Sequence, residues 1–315
     1  MKDIYLKELH LVNFMGYKDT VFKFFDENGK RKPLVLMYAP NGAGKSSLLN
    51  GIQMASNCKR LQSRDNTTFF RKLVFSQDYD SNYQALYDKL DPSVVNKMFV
   101  EAKYDVNGEE KIVQFDNSVI LKNEVDELDF FTLLDADHPM NVNKFQLENT
   151  KYAKKFIELC KVIYNYECYF DKEISDSGKF AKDENEDLKM EDDGDNDDLS
   201  FFTDFVIQKY GINTHFKQMS GGERKIATLM AQICDEKTID KLSIIAIDSF
   251  EKEIYFTRQG KTVDKLISEF PDKQFFIVTH SETLIRHVEN TYGKECLYDI
   301  GEYRMKDYNI SEYKN

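Results

Sequence analysis

Ala39-Pro40-Asn41-Gly42-Ala43-Gly44-Lys45-Ser46-Ser47 is preceded by an apolar run, Leu34-Val35-Leu36-Met37-Tyr38, and followed by a helix-like one, Ser47-Leu48-Leu49-Asn50-Gly51-Ile52. Strand, glycine-rich turn and helix start, in that order, are what a phosphate-binding loop (P-loop) requires. The glycines let backbone N–H groups close on phosphate oxygens. The helix start adds favourable partial charge for an anion. On this reading Asn41, Gly42, Ala43, Gly44, Lys45, Ser46 and Ser47 form the cradle. Lys45 reaches the β- and γ-phosphates, and the Ser46 hydroxyl ligates Mg²⁺. Ala39 stands where such loops usually have their first glycine. An ordinary glycine-rich turn is the competing reading; the strand before it and Lys-Ser after it weigh against that.

The 315 residues suggest one large or two modest domains. Hydrophobic residues at 41% and charged ones at 31% fit a soluble globular protein with a real core. No apolar run approaches the ~20 residues of a membrane span, and Met1-Lys2-Asp3-Ile4-Tyr5 lacks the apolar core of a signal peptide. The five cysteines (58, 160, 168, 234 and 296) form no Cys-x-x-Cys pair. Reduced thiols, a cytoplasmic location, no membrane and no zinc site are therefore expected. Of the formal charge of −12, the segment Asp171–Asp198 supplies −9 through thirteen acidic residues and four lysines. The remaining chain is nearly balanced, which gives no support to broad nucleic-acid affinity.

Read in order, residues 3–25 predict two strands around a turn at Asn13–Thr20, and Asp26-Glu27-Asn28-Gly29-Lys30 a second turn. Lys59, Arg60, Arg64, Arg71 and Lys72 form the best basic cluster, read either as a solvated face or as a contact for a nucleic-acid backbone. Residues 97–121 predict a hairpin turning at Asn107-Gly108, and residues 144–170 a helix with Phe145, Leu147, Phe156, Leu159 and Ile163 on one stripe. The acidic segment 171–198 reads as a solvated loop or linker. Ser220-Gly221-Gly222-Glu223 opens a helix, a geometry that suits an anion and equally a plain N-cap. The strand Leu242–Ile247 ends in Asp248, where a carboxylate suits holding Mg²⁺ through water. The strand Gln274–Thr279 ends in His280, placed to polarise a γ-phosphate or an attacking water, or to serve as a structural hydrogen-bonder.

These four motifs come in the chain order of an ABC-type ATPase. The chain resembles the SMC/RecF group of these enzymes, which includes double-strand-break repair heads, RecN, and OLD-type and defence-associated ATPases. The opening Ile4-Tyr5-Leu6-Lys7-Glu8-Leu9-His10-Leu11-Val12-Asn13-Phe14 and the run Pro40–Ser46 carry the likeness, and Asp248-Ser249-Phe250-Glu251-Lys252-Glu253-Ile254-Tyr255 resembles the family's Asp-Glu-x-Glu-x-x-Leu-His segment. It covers residues 1–55 and 215–300. It implies an α/β P-loop NTPase fold: an ABC-ATPase head with a mixed sheet, an antiparallel N-terminal flank and a helical insertion, parted at 1–121, 122–200 and 201–315. It also implies ATP and Mg²⁺ as cofactors, and a homodimer with two composite sites. In each, Ser220, Gly221, Gly222 and Glu223 of one copy close over ATP held by the other, with Ser46 and Asp248 on the metal.

Two departures shape the expectation. Ser46 and Ser220 are only 174 positions apart, without a sustained heptad run, so no long coiled-coil arm is expected. Ser249 stands where the family has the carboxylate that orients water. Either Glu251 or Glu253 replaces it, with Glu251 and His280 the candidate catalytic pair, or hydrolysis is slow. Gln146 is placed as the glutamine loop by position alone. The expected function is an ATP-gated switch or scaffold for a protein partner, as in prokaryotic antiviral defence. The alternative is a RecF-like repair ATPase that clamps DNA; a transporter energy subunit fits the N-terminal segment less well.

Overall fold

Apolar side chains at Ile4, Leu6, Leu9 and Leu11 keep the period of a strand except for one slip between 6 and 9. The computed structural model, which describes residues 3–58, 98–116, 119–127, 129–136, 150–171 and 205–307, accounts for that slip by a β-bulge at Lys7. One extra residue there restores the inward face, so all four side chains are buried. The basic cluster at 59–72, Gln146 and the acidic segment beyond Asp171 lie outside the described residues.

The elements run β1 (Ile4–Phe14), β2 (Tyr17–Lys23), β3 (Leu34–Tyr38), α1 (Lys45–Ser56), β4 (Phe99–Val106), β5 (Glu109–Asp116), β6 (Val119–Asn123), β7 (Phe131–Asp135), α2 (Thr150–Tyr164), β8 (Glu167–Phe170), β9 (Phe205–Lys209), β10 (Ile212–His215), α3 (Gly221–Cys234), β11 (Ile244–Asp248), α4 (Phe256–Glu269), β12 (Gln274–Thr279), α5 (Glu282–Tyr292), β13 (Leu297–Asp299) and α6 (Ile300–Asp307). They fall into two compact units. The first takes Met1–Leu133, Leu242–Asp248 and Pro271–Asn315; the second takes Leu134–Lys241 and Ser249–Phe270.

The first unit holds two sheets. An antiparallel one runs β2-β1-β4-β5-β6, and the other runs β13-β3-β12-β11-β7 with β13, β3, β12 and β11 parallel. This is the expected α/β fold with an antiparallel N-terminal flank; in place of one mixed sheet, the parallel and antiparallel strands lie in two separate sheets. The first turn is tighter than expected: Met15 and Gly16 take positive φ and the chain is already in β2 at Tyr17. Gly51 of α1 lets the helix lie against Leu11 and Leu9 of β1, since a Cβ there would press on Leu11. Phe22, Phe24, Phe276 and Tyr298 close the core between the sheets.

A buried amide ties the two sheets. Gln274, fully enclosed at the start of β12, accepts from the Leu6 N–H at 2.9 Å and donates to the Leu6 carbonyl at 3.1 Å. It meets both backbone groups of the residue just before the bulge, away from the β4 side.

In the second unit α2 packs on α3 and α4, and β10-β9-β8 form an antiparallel sheet. The expected helix over 144–170 is shorter. It ends at Tyr164, because Asn165 adopts a left-handed φ of 59°, and Cys168, Tyr169 and Phe170 pair with β9 instead. Phe156, Phe170 and Phe205 make the aromatic centre. All five cysteines are buried and free; burial pushes the Cys168 thiol up to about 12 and the Cys160 thiol well up.

Replacing Gln274 by Leu strands the Leu6 N–H and carbonyl without water, at about 2–4 kcal/mol in total. Urea unfolding of Gln274→Leu measures this. A loss below about 1 kcal/mol would mean that the junction of the sheets does not depend on this amide.

Candidate functional site

Parallel pairing sets the site. Phe275–Thr279 of β12 pair with Leu34–Tyr38 of β3, and Ile244–Ile247 of β11 pair with Gln274–Ile277. Chains leaving these strands therefore emerge side by side: Ala39 opens the loop beside His280, and Asp248 lies one strand beyond. His280 is exposed, in the step from β12 to α5, whose N-cap Ser281 accepts from the Leu284 N–H at 3.3 Å.

Between β3 and α1 the loop needs two left-handed residues, and both are glycines: Gly42 at φ 77° and Gly44, the N-cap of α1, at φ 102°. Ala39 has no positive φ, which is why a side chain is tolerated where a glycine is usual. Lys45 is buried, and its ammonium donates to the Ala39 and Pro40 carbonyls at 2.8 and 3.1 Å. Asn41, Gly42 and Ser46 are exposed and Ala43 is buried; Ser47 is half-buried in the first turn of α1. Ser46 Oγ lies 3.4 Å from an Asp248 carboxylate oxygen. In this structure the hydroxyl donates to the carboxylate; with a magnesium ion bound, the same two oxygen groups would be the ones to hold it, directly or through water.

In the second unit Ser220 caps α3 in a full capping box. Its Oγ accepts from the Glu223 N–H at 3.3 Å, while the Glu223 carboxylate accepts from the Ser220 N–H at 3.0 Å and from its hydroxyl at 2.9 Å. Lys209 donates to the other Glu223 oxygen. Burial opposes ionisation of Glu223, but the bonds from Lys209 and Ser220 outweigh it and hold the carboxyl below its ordinary range. A Cβ on Gly221 would meet nothing; one on Gly222 would run into the Glu253 carboxylate, which also lies 3.8 Å from Lys225. Glu251 sits in the turn before α4, where the Gln259 amide donates to the carbonyls of Glu251 and Ile254. Ser249, directly after Asp248, is left-handed at φ 56°.

A family model described as an AAA domain matches residues 8–270. The chain belongs to the AAA domain family. Among solved structures, the SMC head domain from Thermotoga maritima is 15% identical with a TM-score of 0.51, covering 90% of this chain and 91% of that one. An Smc head with an extended coiled coil, bound to the C-terminal domain of ScpA from Pyrococcus furiosus, gives 11% and 0.49, over 90% and 92%. The recombination mediator RecF with ATP gives 14% and 0.44, over 89% and 93%. No curated protein matched. The family and the SMC-head fold bear out the resemblance to ABC-type ATPases of the SMC/RecF group. In this AAA-domain chain, no helix among the described residues is long and apolar enough to cross a membrane.

The sequence reading missed two residues on the P-loop. Tyr17 donates through its hydroxyl to the Gly44 carbonyl at 2.8 Å, and burial raises its pKa far above that of a free tyrosine. Arg304 of α6 donates to the Gly16 carbonyl at 2.9 Å and to that of Gly42 at 3.4 Å. Gly16 was the only signal, since a Cβ there would strike the guanidinium.

The Glu223 cap carries a pH signature. A carboxyl held below its ordinary pKa stabilises the fold above about pH 4.3, and that contribution is lost as pH falls through the folded value. Glu223→Ala is expected to cost about 1 kcal/mol at pH 7, with the difference from wild type shrinking toward pH 3. Paired urea melts read it; a gap that does not change with pH would rule out a charged cap.

Proposed function

We propose that this AAA-domain ATPase binds ATP-Mg at Asn41–Ser47, with Lys45 on the β- and γ-phosphates and Ser46 and Asp248 on the metal. Two copies then close head to head, Ser220, Gly221 and Gly222 of each meeting the triphosphate held by the other. The observation that carries the reading is the 3.4 Å hydrogen bond from Ser46 Oγ to Asp248, which brings two oxygen groups from distant parts of the sequence to one point at the head of the loop. The N-terminus of α3, where Ser220 and Gly221 are exposed, supports the second half: a phosphate would take the place of the Glu223 carboxylate that caps it. ATP stabilises the closed pair and phosphate release weakens it, a population shift set by differential affinity. Closure acts on a protein partner, and the defence-type ATPases supply the biological setting by resemblance.

Two variants separate the parts of the scheme. Lys45→Ala abolishes ATP binding. Ser220→Arg keeps binding in each copy but blocks closure, so ATP no longer shifts the mass seen in light scattering. An ATP-dependent dimer that survives in Ser220→Arg would sink the composite site. Steady-state turnover raised by duplex DNA, with ATP-dependent and salt-sensitive DNA binding, would favour the RecF-like clamp over the protein switch.

Hydrolysis is slow on this reading because Ser249 replaces a general base, an effect worth about 10²- to 10⁴-fold in rate. His280, and Glu251 in place of the missing carboxylate, carry the residual turnover. Ser249→Glu is expected to raise turnover at least tenfold or so with ATP affinity unchanged. A variant that binds ATP normally and turns over at the wild-type rate would show that another group already does this work.

A further inference from the structure

We propose that Arg304 is a positioning residue for the P-loop, holding it in its phosphate-receiving shape before nucleotide arrives. The inference rests on the reading that the loop binds ATP. Ala43 N–H donates to the Pro40 carbonyl at 3.3 Å, closing a tight turn at the head of the loop. Arg304 Nη1 donates to the Gly42 carbonyl, the other end of the same peptide unit, so that unit is fixed from both sides. Nη2 of the same guanidinium donates to Gly16 in the β1–β2 turn. One planar fork thus staples two turns, something a single ammonium does not do. The guanidinium lies 5.8 Å from the centre of the Tyr17 ring, and the Tyr17 hydroxyl holds the next loop carbonyl, that of Gly44.

Three glycines surround this contact. A Cβ on Gly16 would collide with Arg304, and one on Gly44 would come within 3.3 Å of it and of the Tyr17 hydroxyl. Gly42, whose carbonyl Arg304 takes, is left-handed. Helix α6 is seated independently of the loop. Asp307 accepts from the Lys18 and Asp19 amides, and Tyr303 packs on Phe22 at 4.6 Å. The seat and the staple can therefore be removed separately. A preorganised loop spends less binding energy on ordering, so losing the staple weakens affinity more than turnover.

The test measures the dissociation constants of Mg-ATP and Mg-ADP, the melting temperature without nucleotide, and turnover at saturating ATP. The proteins are wild type, Arg304→Ala, Arg304→Lys and Asp307→Asn. Arg304→Ala should weaken both nucleotides about tenfold, the size of one lost charge-assisted hydrogen bond, with saturated turnover near wild type. Arg304→Lys should recover only part of the loss. Asp307→Asn should lower the melting temperature while moving affinity less than Arg304→Ala does. Wild-type affinity in Arg304→Ala overturns the proposal, as does a loss in Asp307→Asn that matches it at equal melting temperature. Wild-type protein that binds no ATP overturns the P-loop reading itself, and the two failures are told apart in that first titration.

Discussion

Parallel strand pairing is the constraint on which the rest depends. In β3, β12 and β11 every strand ends at the same edge, so whatever follows each strand is delivered to one place. A loop with two left-handed glycines, an exposed histidine and a carboxylate follow the three strands. None of these needs the others to reach its position. The hydrogen-bond register alone sets Ala39 beside His280 and leaves the start of α1 facing Asp248 across β12, which is how Ser46 and Asp248 come within 3.4 Å.

The sheet edge is held firm from beneath. Four buried apolar residues of β1 reach the core only because Lys7 adds a bulge, and Gln274 meets both backbone groups of Leu6 where the strand kinks. Gln274 is also the first residue of β12. The amide that satisfies the kink therefore sits on the strand that leads to His280, and helps link the antiparallel flank to the edge that carries the Ala39–Ser47 loop. Burial this deep is costly for an amide without partners, and here both its oxygen and its nitrogen are hydrogen-bonded.

How much of this was legible in the sequence follows from the range of each interaction. The loop, the helix starts at Lys45 and Gly221, and the strand ends at Asp248 and Thr279 were readable because period, glycine spacing and capping are local. The helix over 144–170 was overextended because Cys168, Tyr169 and Phe170 suit a helical stripe as well as a strand; only pairing with β9, 35 to 39 residues later, decides it. Arg304 could not be found at all. It lies 262 positions from Gly42, on a short helix with no motif, and its one trace was a glycine at 16 whose partner the sequence does not name.

The cap of α3 bears on how closure would work. In the single chain the helix start is already supplied with negative charge by the chain's own groups: Glu223 takes the Ser220 hydroxyl, and the Glu253 carboxylate lies against Gly222. A phosphate approaching from a second copy would not meet a bare positive end. It would exchange with carboxylates, the Ser220 hydroxyl donating to a phosphate oxygen in place of Glu223. The free energy of closure is then a difference between two anions at one helix start, smaller than the interaction of either. A difference of that kind is sensitive to the charge of the incoming group. On the proposed reading this is what makes the pair close on a triphosphate and part when the γ-phosphate leaves, without any large change in the helix itself.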